Sequence, residues 1–208
     1  MSDERLSELA RLGSATVYEA GGRRGYVDAD LHQIVAGTRV AGPARTVLCG
    51  QDDNLMVHAV MERIIPGEVL VLTMPTPRPV ALVGDLLATQ AQVAGAAALL
   101  IDASVRDVEE LTEMGLPIWA RWLRVRGAEK TTPGELDVPV TVGGALINPG
   151  DVVVLDADGV AIVEAARVDE VLAASLEREE KERVKRAKLQ AGQRSYDLDG
   201  LRAVVEGA

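Results

Sequence analysis

The chain has 208 residues, a length that suits one domain, and an apolar share of 48% that can form a sizeable core. Its formal net charge of −10 argues against nucleic acid as a direct partner, because neutralising phosphates requires clustered Lys and Arg. The single cysteine, Cys49, excludes an intrachain disulfide and a cysteine-rich zinc site, and we interpret it as a buried apolar residue. Since Phe is absent, Val, Leu, Ile and Ala must form the core, which favours strands alternating with Ala-rich helices.

No segment of the sequence is typical of a membrane protein. The N-terminal residues 1–5 are polar and have no apolar stretch behind them, unlike a signal peptide. The longest mostly apolar stretch, Val93 to Ile101, is far too short to cross a bilayer. We therefore expect a cytoplasmic protein that acts without a membrane partner.

The N-terminal third alternates between helical and extended patterns. Leucines at positions 6, 9 and 12 recur at the spacing of a helix, whereas Thr38 to Leu48 is rich in valine and alternates as a strand does. Asp52 and Asp53 are residues of the type that caps a helix. The elements predicted here are helices over 2–12, 14–20 and 54–64 and strands over 38–48 and 68–73.

The middle third has the most regular pattern of the chain. Short apolar strands alternate with helices, and Gly95 and Gly115 end the helices. This rhythm is typical of an α/β unit with parallel strands, in which ligands bind beyond the carboxyl ends of the strands. The predicted order is strand 80–83, helix 86–94, strand 97–102, helix 108–114 and strand 118–120.

The C-terminal third is predicted to contain more strands. After a polar, basic loop over 121–132, segments rich in valine are separated by glycine and proline turns. The sequence from Asp156 to Gly159 is suited to a tight hairpin. The strands predicted here cover 138–142, 151–157 and 159–163.

A long, charged helix is predicted from 169 to about 190. Beyond Leu176 its apolar residues are few, so the helix either projects into solvent or lies on a neighbouring subunit. We favour the neighbouring subunit. No convincing linker divides the chain, and residues 1–208 are therefore predicted to form one domain.

Arg106 and Asp107 lie where an apolar strand meets a helix. Because Asp favours the position before a helix, the pair can be interpreted as a helix cap beside a surface cation. Asp85 weakens that interpretation, since it too follows a strand and begins a helix, after a glycine that permits close approach of the backbone. If the two strands are neighbours, Asp85, Arg106 and Asp107 converge at one edge of the sheet.

Such an edge suits a small anionic ligand and a hard cation. A carboxylate would bind the guanidinium and the exposed N–H groups of Leu86 and Leu87, and a divalent cation would bind carboxylate oxygens. His32 and His58 have no partner at metal-ligand spacing, and no histidine is placed to activate Ser104. The sequence also lacks a P-loop, an HExxH motif and a nucleotide-binding glycine fingerprint.

The most specific motif of the chain has twenty residues between Asp85 and the Arg106-Asp107 pair. It includes the segments 84–89 and 99–102. This motif resembles the 4-hydroxy-4-methyl-2-oxoglutarate aldolase family, whose relatives include 4-carboxy-4-hydroxy-2-oxoadipate aldolase and the regulator of ribonuclease E activity A. Other segments that resemble the family cover 15–20, 39–44, 53–55, 66–69 and 149–160.

The resemblance implies a three-layer β/β/α fold of the swivelling, phosphohistidine-domain-like type. It also implies assembly as a homotrimer or hexamer, with active sites between subunits. The implied chemistry is that of a class II aldolase with Mg²⁺ or Mn²⁺, which cleaves a 4-hydroxy-2-oxo acid to release pyruvate. Decarboxylation of oxaloacetate is an implied second activity.

Residue roles follow from the same resemblance. Asp107 is expected to hold the metal, and Arg106 is expected to bind the carbonyl or developing enolate oxygen of the substrate. Gly84 and the backbone N–H groups of Leu86 and Leu87 are expected to bind the substrate carboxylate.

Proton transfer is assigned to Asp85, which is expected to orient a water molecule near the 4-hydroxyl group of the substrate. Glu19 and Glu182 are candidates to reach the site of a neighbouring subunit. Glu182, however, lies in a charged stretch that is typical of a solvated helix face.

The main alternative is a non-catalytic regulator that inhibits a ribonuclease through protein–protein contacts, for which an acidic surface would suit a basic partner. Asp85 discriminates between the two, because the resemblance implies that the regulator branch lacks this residue. A menaquinone methyltransferase is a third interpretation, which the absence of a nucleotide-binding fingerprint disfavours. The 4-substituent of the substrate stays open; candidates to bind an extra carboxylate are Arg23, Arg24, Arg121, Arg124 and Arg126.

Overall fold

A computed structural model describes residues 3–207 and has the alternation of helices and strands expected for an α/β protein. The helices are α1 (Asp3–Leu12), α2 (Ser14–Ala20), α3 (Leu55–Val60), α4 (Asp85–Val93), α5 (Val108–Met114), α6 (Val168–Gln190), α7 (Ser195–Leu198) and α8 (Leu201–Glu206). The strands are β1 (His32–Gln33), β2 (Val40–Leu48), β3 (Val69–Thr73), β4 (Ala81–Val83), β5 (Ala98–Val105), β6 (Ile118–Leu123), β7 (Glu135–Leu136), β8 (Val140–Val142), β9 (Ala145–Ile147), β10 (Val152–Asp156) and β11 (Gly159–Val163).

The main sheet follows the strand order β1-β6-β5-β3-β2-β10-β11, with β4 paired to β5 and β7 paired to β2. Strands β2, β3, β5 and β6 are successive parallel neighbours, and β4 is parallel to β5. The predicted parallel unit is therefore confirmed. The predicted hairpin is confirmed as well, because β10 and β11 pair antiparallel around the turn between Asp156 and Gly159.

Alternate residues of β3 and β5 face the two sides of the sheet, as the geometry of a strand requires. Leu72 and Ile101 pack towards α3, α4 and α5, whereas Val71 and Leu100 pack towards the β8–β9 hairpin. The sheet thus lies between a helical layer and a smaller β layer. This is the predicted three-layer β/β/α fold.

A third apolar cluster joins α1, α2 and the first turns of α6 to β10 and β11. Val168, Val171 and Ser175 are buried, but Leu176 and Val184 are about 40% exposed. The long C-terminal helix is confirmed in its bounds, and its packing on a neighbouring subunit stays a prediction. No helix among the described residues is long and apolar enough to cross a membrane.

Three predicted elements differ from the structure by three or more residues at one end. The helix expected over 54–64 ends at Val60, whereas β5 and β6 continue beyond their predicted ends to Val105 and Leu123. The prediction ended one strand at Asp102 and the other just before Arg121, but these two residues form an ion pair of 2.8 Å inside the sheet. The paired charges therefore allow both strands to continue, and β5 gains the length that it needs to pair with β4.

Candidate active site

The predicted edge of the sheet is formed by two parallel neighbours, β4 and β5. Val83 pairs with Val105, and α4 and α5 begin within three residues of this pair. The starts of the two helices therefore meet at the same edge, as the sequence predicted for neighbouring strands. Asp85, Arg106 and Asp107 converge there.

Asp107 holds its backbone in the left-handed region, with φ 61° and ψ 46°. Asp tolerates this conformation better than most residues. It occupies the position before α5, yet its side chain makes no capping hydrogen bond to that helix. Instead Oδ2 accepts a hydrogen bond of 3.1 Å from the backbone N–H of Asp85. The carboxylate therefore lies at the start of α4, and the interpretation of Asp107 as a cap of its own helix is wrong.

Gly84 leaves the room that this arrangement requires. A Cβ atom at this position would overlap Oδ2 of Asp107 and would lie 3.1 Å from Nε of Arg106. The φ of Gly84 is −128°, so close approach of the side chains, and not a positive φ, explains the glycine.

The guanidinium of Arg106 is available to a ligand. Its Nε lies 3.6 Å from Oδ2 of Asp107, and its side chain is 51% exposed. Among the described residues, no side chain or carbonyl accepts a hydrogen bond from this guanidinium. Because arginine presents several donors in a fixed plane, this group suits a carboxylate or carbonyl oxygen.

The start of α4 adds backbone donors to the guanidinium. The first helical hydrogen bond runs from Ala88 N–H to the Gly84 carbonyl. The N–H groups of Leu86 and Leu87 find no acceptor within residues 3–207. Unpaired N–H groups at a helix N-terminus attract anions, so this position suits a carboxylate.

These groups line a small cleft of about 170 Å³ between α3, α4 and the segment 127–130. Among the lining residues that the sequence predictions missed, three have polar side chains, namely Asn54, His58 and Lys130. Asn54 and His58 are four residues apart, a spacing that places them on one face of a helix and that could have indicated a shared surface. Nothing local in the sequence connects Lys130 to them, since it approaches only because the chain turns back after β6.

A buried carboxylate fixes that returning segment. Asp53 is fully buried, and its Oδ2 accepts hydrogen bonds from the backbone N–H groups of Thr131 at 2.6 Å and Thr132 at 2.8 Å. Its Oδ1 accepts from the N–H of Leu55 at 2.8 Å. Burial acts to raise the pKa of Asp53, but the N–H donors outweigh it and hold the pKa below 3.8. We refer to Asp53 and these three partners as the Asp53 clamp.

A wider groove of about 750 Å³ lies on the other side of Arg106 and is lined by 105–109 and 123–125. Of the five arginines considered for an extra carboxylate, Arg124 lines this groove. Arg121 pairs instead with a buried carboxylate. Three others line neither cleft, namely Arg23, Arg24 and Arg126.

Glu19 and Glu182 lie together at the contact between α2 and α6. Arg178 joins them, with its Nε 2.9 Å from Glu182 and its Nη1 3.9 Å from Glu19. Neither glutamate lines the two clefts beside Arg106. Within one chain, the structure therefore does not bring them to the predicted site.

The geometry defines an α/β protein in which a guanidinium, two carboxylates and the unpaired N–H groups of a helix start meet at one edge of the sheet. Residues 4–162 match the RraA-like family, described as Aldolase/RraA. The chain belongs to this family, as the sequence resemblance predicted.

Individual relatives carry different names. A protein of Halalkalibacterium halodurans, provisionally named 4-hydroxy-4-methyl-2-oxoglutarate aldolase, is 35% identical over 134 residues, which are 64% of this chain and 64% of that relative. The structure of Streptomyces coelicolor RraAS2, an unusual member of the RNase ES inhibitor RraA protein family, has a TM-score of 0.77 and 31% identity, covering 90% of this chain and 98% of that one. A third similar structure, of Geobacillus kaustophilus, is described as an S-adenosylmethionine: 2-dimethylmenaquinone methyltransferase. Its TM-score is 0.65 and its identity 30%, with coverage of 72% and 93%. Proteins that share this fold thus have three different names, and the function must be argued from the site.

Proposed function

We propose that this protein is a class II aldolase that cleaves a 4-hydroxy-2-oxo acid to pyruvate and a second oxo acid. The observation that carries the proposal is the meeting of Arg106 and Asp107 with the free N–H groups at the start of α4, beside Asp85. Family membership and the provisionally named aldolase relative support it. The substrates expected are of the 4-hydroxy-4-methyl-2-oxoglutarate or 4-carboxy-4-hydroxy-2-oxoadipate type.

Substrate binding uses the donors of the small cleft. The N–H groups of Leu86 and Leu87 bind the carboxylate of the 2-oxo acid, and Gly84 leaves room for it. Arg106 donates to the 2-oxo oxygen, which becomes an enolate oxygen when the carbon–carbon bond breaks. A permanently charged guanidinium stabilises that negative charge as it develops.

The site also suits a divalent cation of the Mg²⁺ or Mn²⁺ type, with Asp107 as the residue that would hold it. Mg²⁺ keeps several waters and needs only one or two carboxylates, and Oδ1 of Asp107 has no donor among the described residues. Within 3–207, no three His, Cys, Asp or Glu residues are grouped as a metal site, so the chain does not offer a zinc-like cage. When bound, the cation supplies Lewis-acid stabilisation of negative charge on the substrate.

Asp85 serves proton transfer in this proposal. Its carboxylate orients a water molecule that accepts the proton of the 4-hydroxyl group while the bond between C3 and C4 breaks. The electrons of that bond move into the enolate, and a proton returned to C3 completes pyruvate. Oxaloacetate decarboxylation forms the same enolate by loss of CO₂ and requires no proton abstraction from a hydroxyl, so we propose it as a side activity.

We also propose assembly as a homotrimer or hexamer. In such an assembly α6 would pack on a neighbouring subunit and bring Glu19 and Glu182 towards that subunit's site. Two features support this proposal, namely the few apolar contacts of α6 after Ser175 and the position of both glutamates away from Arg106 within one chain.

A second candidate function is inhibition of a ribonuclease by protein–protein contact. The observation in its favour is the likeness to RraAS2 over most of the chain. The net charge of −10 would suit a basic partner region. We prefer the aldolase, because Asp85 completes the aldolase pattern and lines the cleft beside Arg106.

The deciding experiment measures pyruvate release from 4-hydroxy-4-methyl-2-oxoglutarate and from oxaloacetate, with Mg²⁺ and with EDTA. We expect metal-dependent turnover in the wild type and a loss of roughly 100-fold or more in Arg106→Ala, because it removes the charge that stabilises the enolate. Arg124→Ala is the matched control and should keep turnover of oxaloacetate. No turnover of either compound by folded, metal-loaded protein would favour the binding-protein candidate.

A further inference from the structure

Asn54 occupies the position before α3, where asparagine usually caps a helix. Its side chain makes no capping hydrogen bond. The neighbouring residue, Asp53, accepts from the N–H of Leu55, the first residue of the helix. The amide of Asn54 is therefore released from the usual reason for asparagine at this position.

The orientation of this amide is fixed by the backbone of β4. Nδ2 of Asn54 donates a hydrogen bond of 2.9 Å to the carbonyl of Leu82. Rotating the amide by half a turn would place two acceptor oxygens against each other, so the assignment of the oxygen and nitrogen is determined. Oδ1 is consequently the free end of the amide.

That free end is buried without a donor. Asn54 is only 7% exposed, and Oδ1 has no hydrogen-bond partner among the described residues. Buried amide oxygens nearly always accept a hydrogen bond, and an exception calls for an explanation. Because Asn54 lines the small cleft together with Asp85 and Arg106, the expected partner is a molecule bound in that cleft.

The chemistry of the cleft indicates which molecule. Arg106, Lys130 and the N–H groups of α4 are donors, and they match the carboxylate and carbonyl oxygens of a 2-oxo acid. Oδ1 of Asn54 and the carboxylate of Asp85 are acceptors in the same cleft, and a single molecule that binds both needs two protons to donate. Water meets this requirement. The 4-hydroxyl of the substrate does not, since an amide oxygen that held its single proton would keep that proton from the base.

We infer that Asn54 is a positioning residue for the water molecule that Asp85 orients. With one proton donated to Asp85 and the other to Oδ1 of Asn54, the water can present only a lone pair to the 4-hydroxyl of the substrate. It accepts the hydroxyl proton while passing one of its own to Asp85, so its proton count is unchanged. This inference rests on the proposed aldolase function and assigns a role to a side chain outside the Asp85-Arg106-Asp107 set.

The test compares Asn54→Leu with Asn54→Asp in both reactions. Asn54→Leu removes the acceptor and is expected to lower kcat for aldol cleavage roughly tenfold to 100-fold, with KM and oxaloacetate decarboxylation changed less than about threefold. Asn54→Asp keeps an acceptor oxygen but sets a second one against the Leu82 carbonyl, so it is expected to be less stable and yet to keep a higher ratio of aldol cleavage to decarboxylation than Asn54→Leu. If Leu and Asp variants lose both reactions alike, Asn54 has only a structural role and the inference fails.

A double variant gives an independent readout. If Asn54 and Asp85 hold one water, then Asp85→Asn combined with Asn54→Leu should be hardly slower than Asp85→Asn alone, because the water is already misplaced. If the losses of the two single variants multiply in the double variant, the inference is overturned. Should Asn54→Leu not fold, Asn54→Ser is compared with Asn54→Asp by the same criteria.

The outcomes separate the inference from the function on which it rests. A wild type that turns over neither compound would remove the proposed function, and the inference with it. A wild type active on both, with an unchanged ratio of the two activities in the Asn54→Leu and Asn54→Ser variants, would leave the function standing and overturn the inference alone.

Discussion

Asp53 and Asp107 both lie just before a helix, yet the structure uses their carboxylates in opposite ways. Asp53 is fully buried, and three backbone N–H groups donate to its two oxygens. Asp107 is one-third exposed, binds one backbone N–H through Oδ2, and has no donor for Oδ1 within the described residues. The satisfied carboxylate can only stabilise the fold, whereas the unsatisfied one is available to a cation or a ligand.

The two carboxylates also cooperate. The Asp53 clamp holds the chain that returns after β6, and this chain contributes Gly127 and Lys130 to the small cleft. Asp107 fixes the other wall through its hydrogen bond to the start of α4. A rigid support thus carries an incompletely paired site, which is the division expected when binding residues must be held in a defined geometry.

The largest loss of activity is expected when the carboxylate of Asp107 is displaced. Gly84→Ala places a methyl group against Oδ2 of Asp107, and a shift of about 1 Å is enough to lower turnover roughly 100-fold. Gly127→Ala is the matched control, because its methyl group would lie 3.2 Å from Nη1 of Arg106, the movable end of a flexible side chain. Its expected loss is less than about tenfold. Steady-state kinetics and unfolding midpoints measure both. Full activity in Gly84→Ala would contradict the assigned position of Asp107.

A second, smaller effect tests the role of Asp85. Asp85→Asn removes the charge that attracts the water proton, so aldol cleavage should fall roughly 10-fold to 100-fold. Oxaloacetate decarboxylation needs no proton from a hydroxyl and should fall much less. The ratio of kcat values for the two substrates measures the difference. Equal losses in both reactions would refute this division of labour.

The sequence predicted most of the fold because periodicity and turn residues lie close together in the chain. The parallel strands, α4, α5 and the C-terminal helix follow from such local patterns. Three strands of two or three residues, β1, β7 and β9, were not predicted, because so short a segment carries little periodic pattern. The ends of β5 and β6 were missed because the Asp102–Arg121 pair forms only when both strands are in place.

The candidate site was predictable in part for the same reason. Asp85, Arg106 and Asp107 each end a recognisable strand or begin a recognisable helix, so their convergence required only that the two strands be neighbours. Asn54 and Lys130 enter the cleft through tertiary contacts with β4 and the Asp53 clamp. Nor does sequence distinguish Asp53 from Asp107, since the number of N–H donors around a carboxylate depends on distant segments.

A pair of substitutions tests the contrast between stability and activity. Asp53→Asn leaves buried N–H donors facing an amide, and we expect the free energy of unfolding to fall by roughly 2–4 kcal/mol. Asp107→Asn keeps an oxygen that can accept from the N–H of Asp85. It should therefore change the free energy of unfolding by less than about 1 kcal/mol, while turnover falls roughly 100-fold. Denaturant unfolding and pyruvate release on the same samples give both quantities. A large stability loss in Asp107→Asn would show that this carboxylate is structural too.

The smallest effect expected is a difference in acid response between Asp53 and a second buried carboxylate, Asp102. Burial raises the pKa of Asp102 above 3.8 despite the opposing charge of Arg121, whereas the N–H donors lower that of Asp53 despite its burial. A lowered pKa means that unfolding takes up a proton, so the contribution of Asp53 is complete above pH 3.8 and is lost as the pH falls through its folded value. A raised pKa has the opposite sign, so protonation of Asp102 adds stability as the pH falls towards 3.8.

Unfolding free energies of the wild type, Asp53→Asn and Asp102→Asn between neutral and acid pH measure these two contributions. As the pH falls towards 3.8, the free energy of unfolding should gain a contribution from Asp102 in the wild type but not in Asp102→Asn. Below pH 3.8, it should lose the contribution of Asp53 in the wild type, and this loss should be absent in Asp53→Asn. Because each variant is compared with the wild type at the same pH, the titration of other carboxylates cancels. The same direction of change in both variants would mean that the N–H donors of the clamp do not outweigh burial at Asp53. The distinction between a satisfied and an unsatisfied carboxylate would then rest on Asp107 alone.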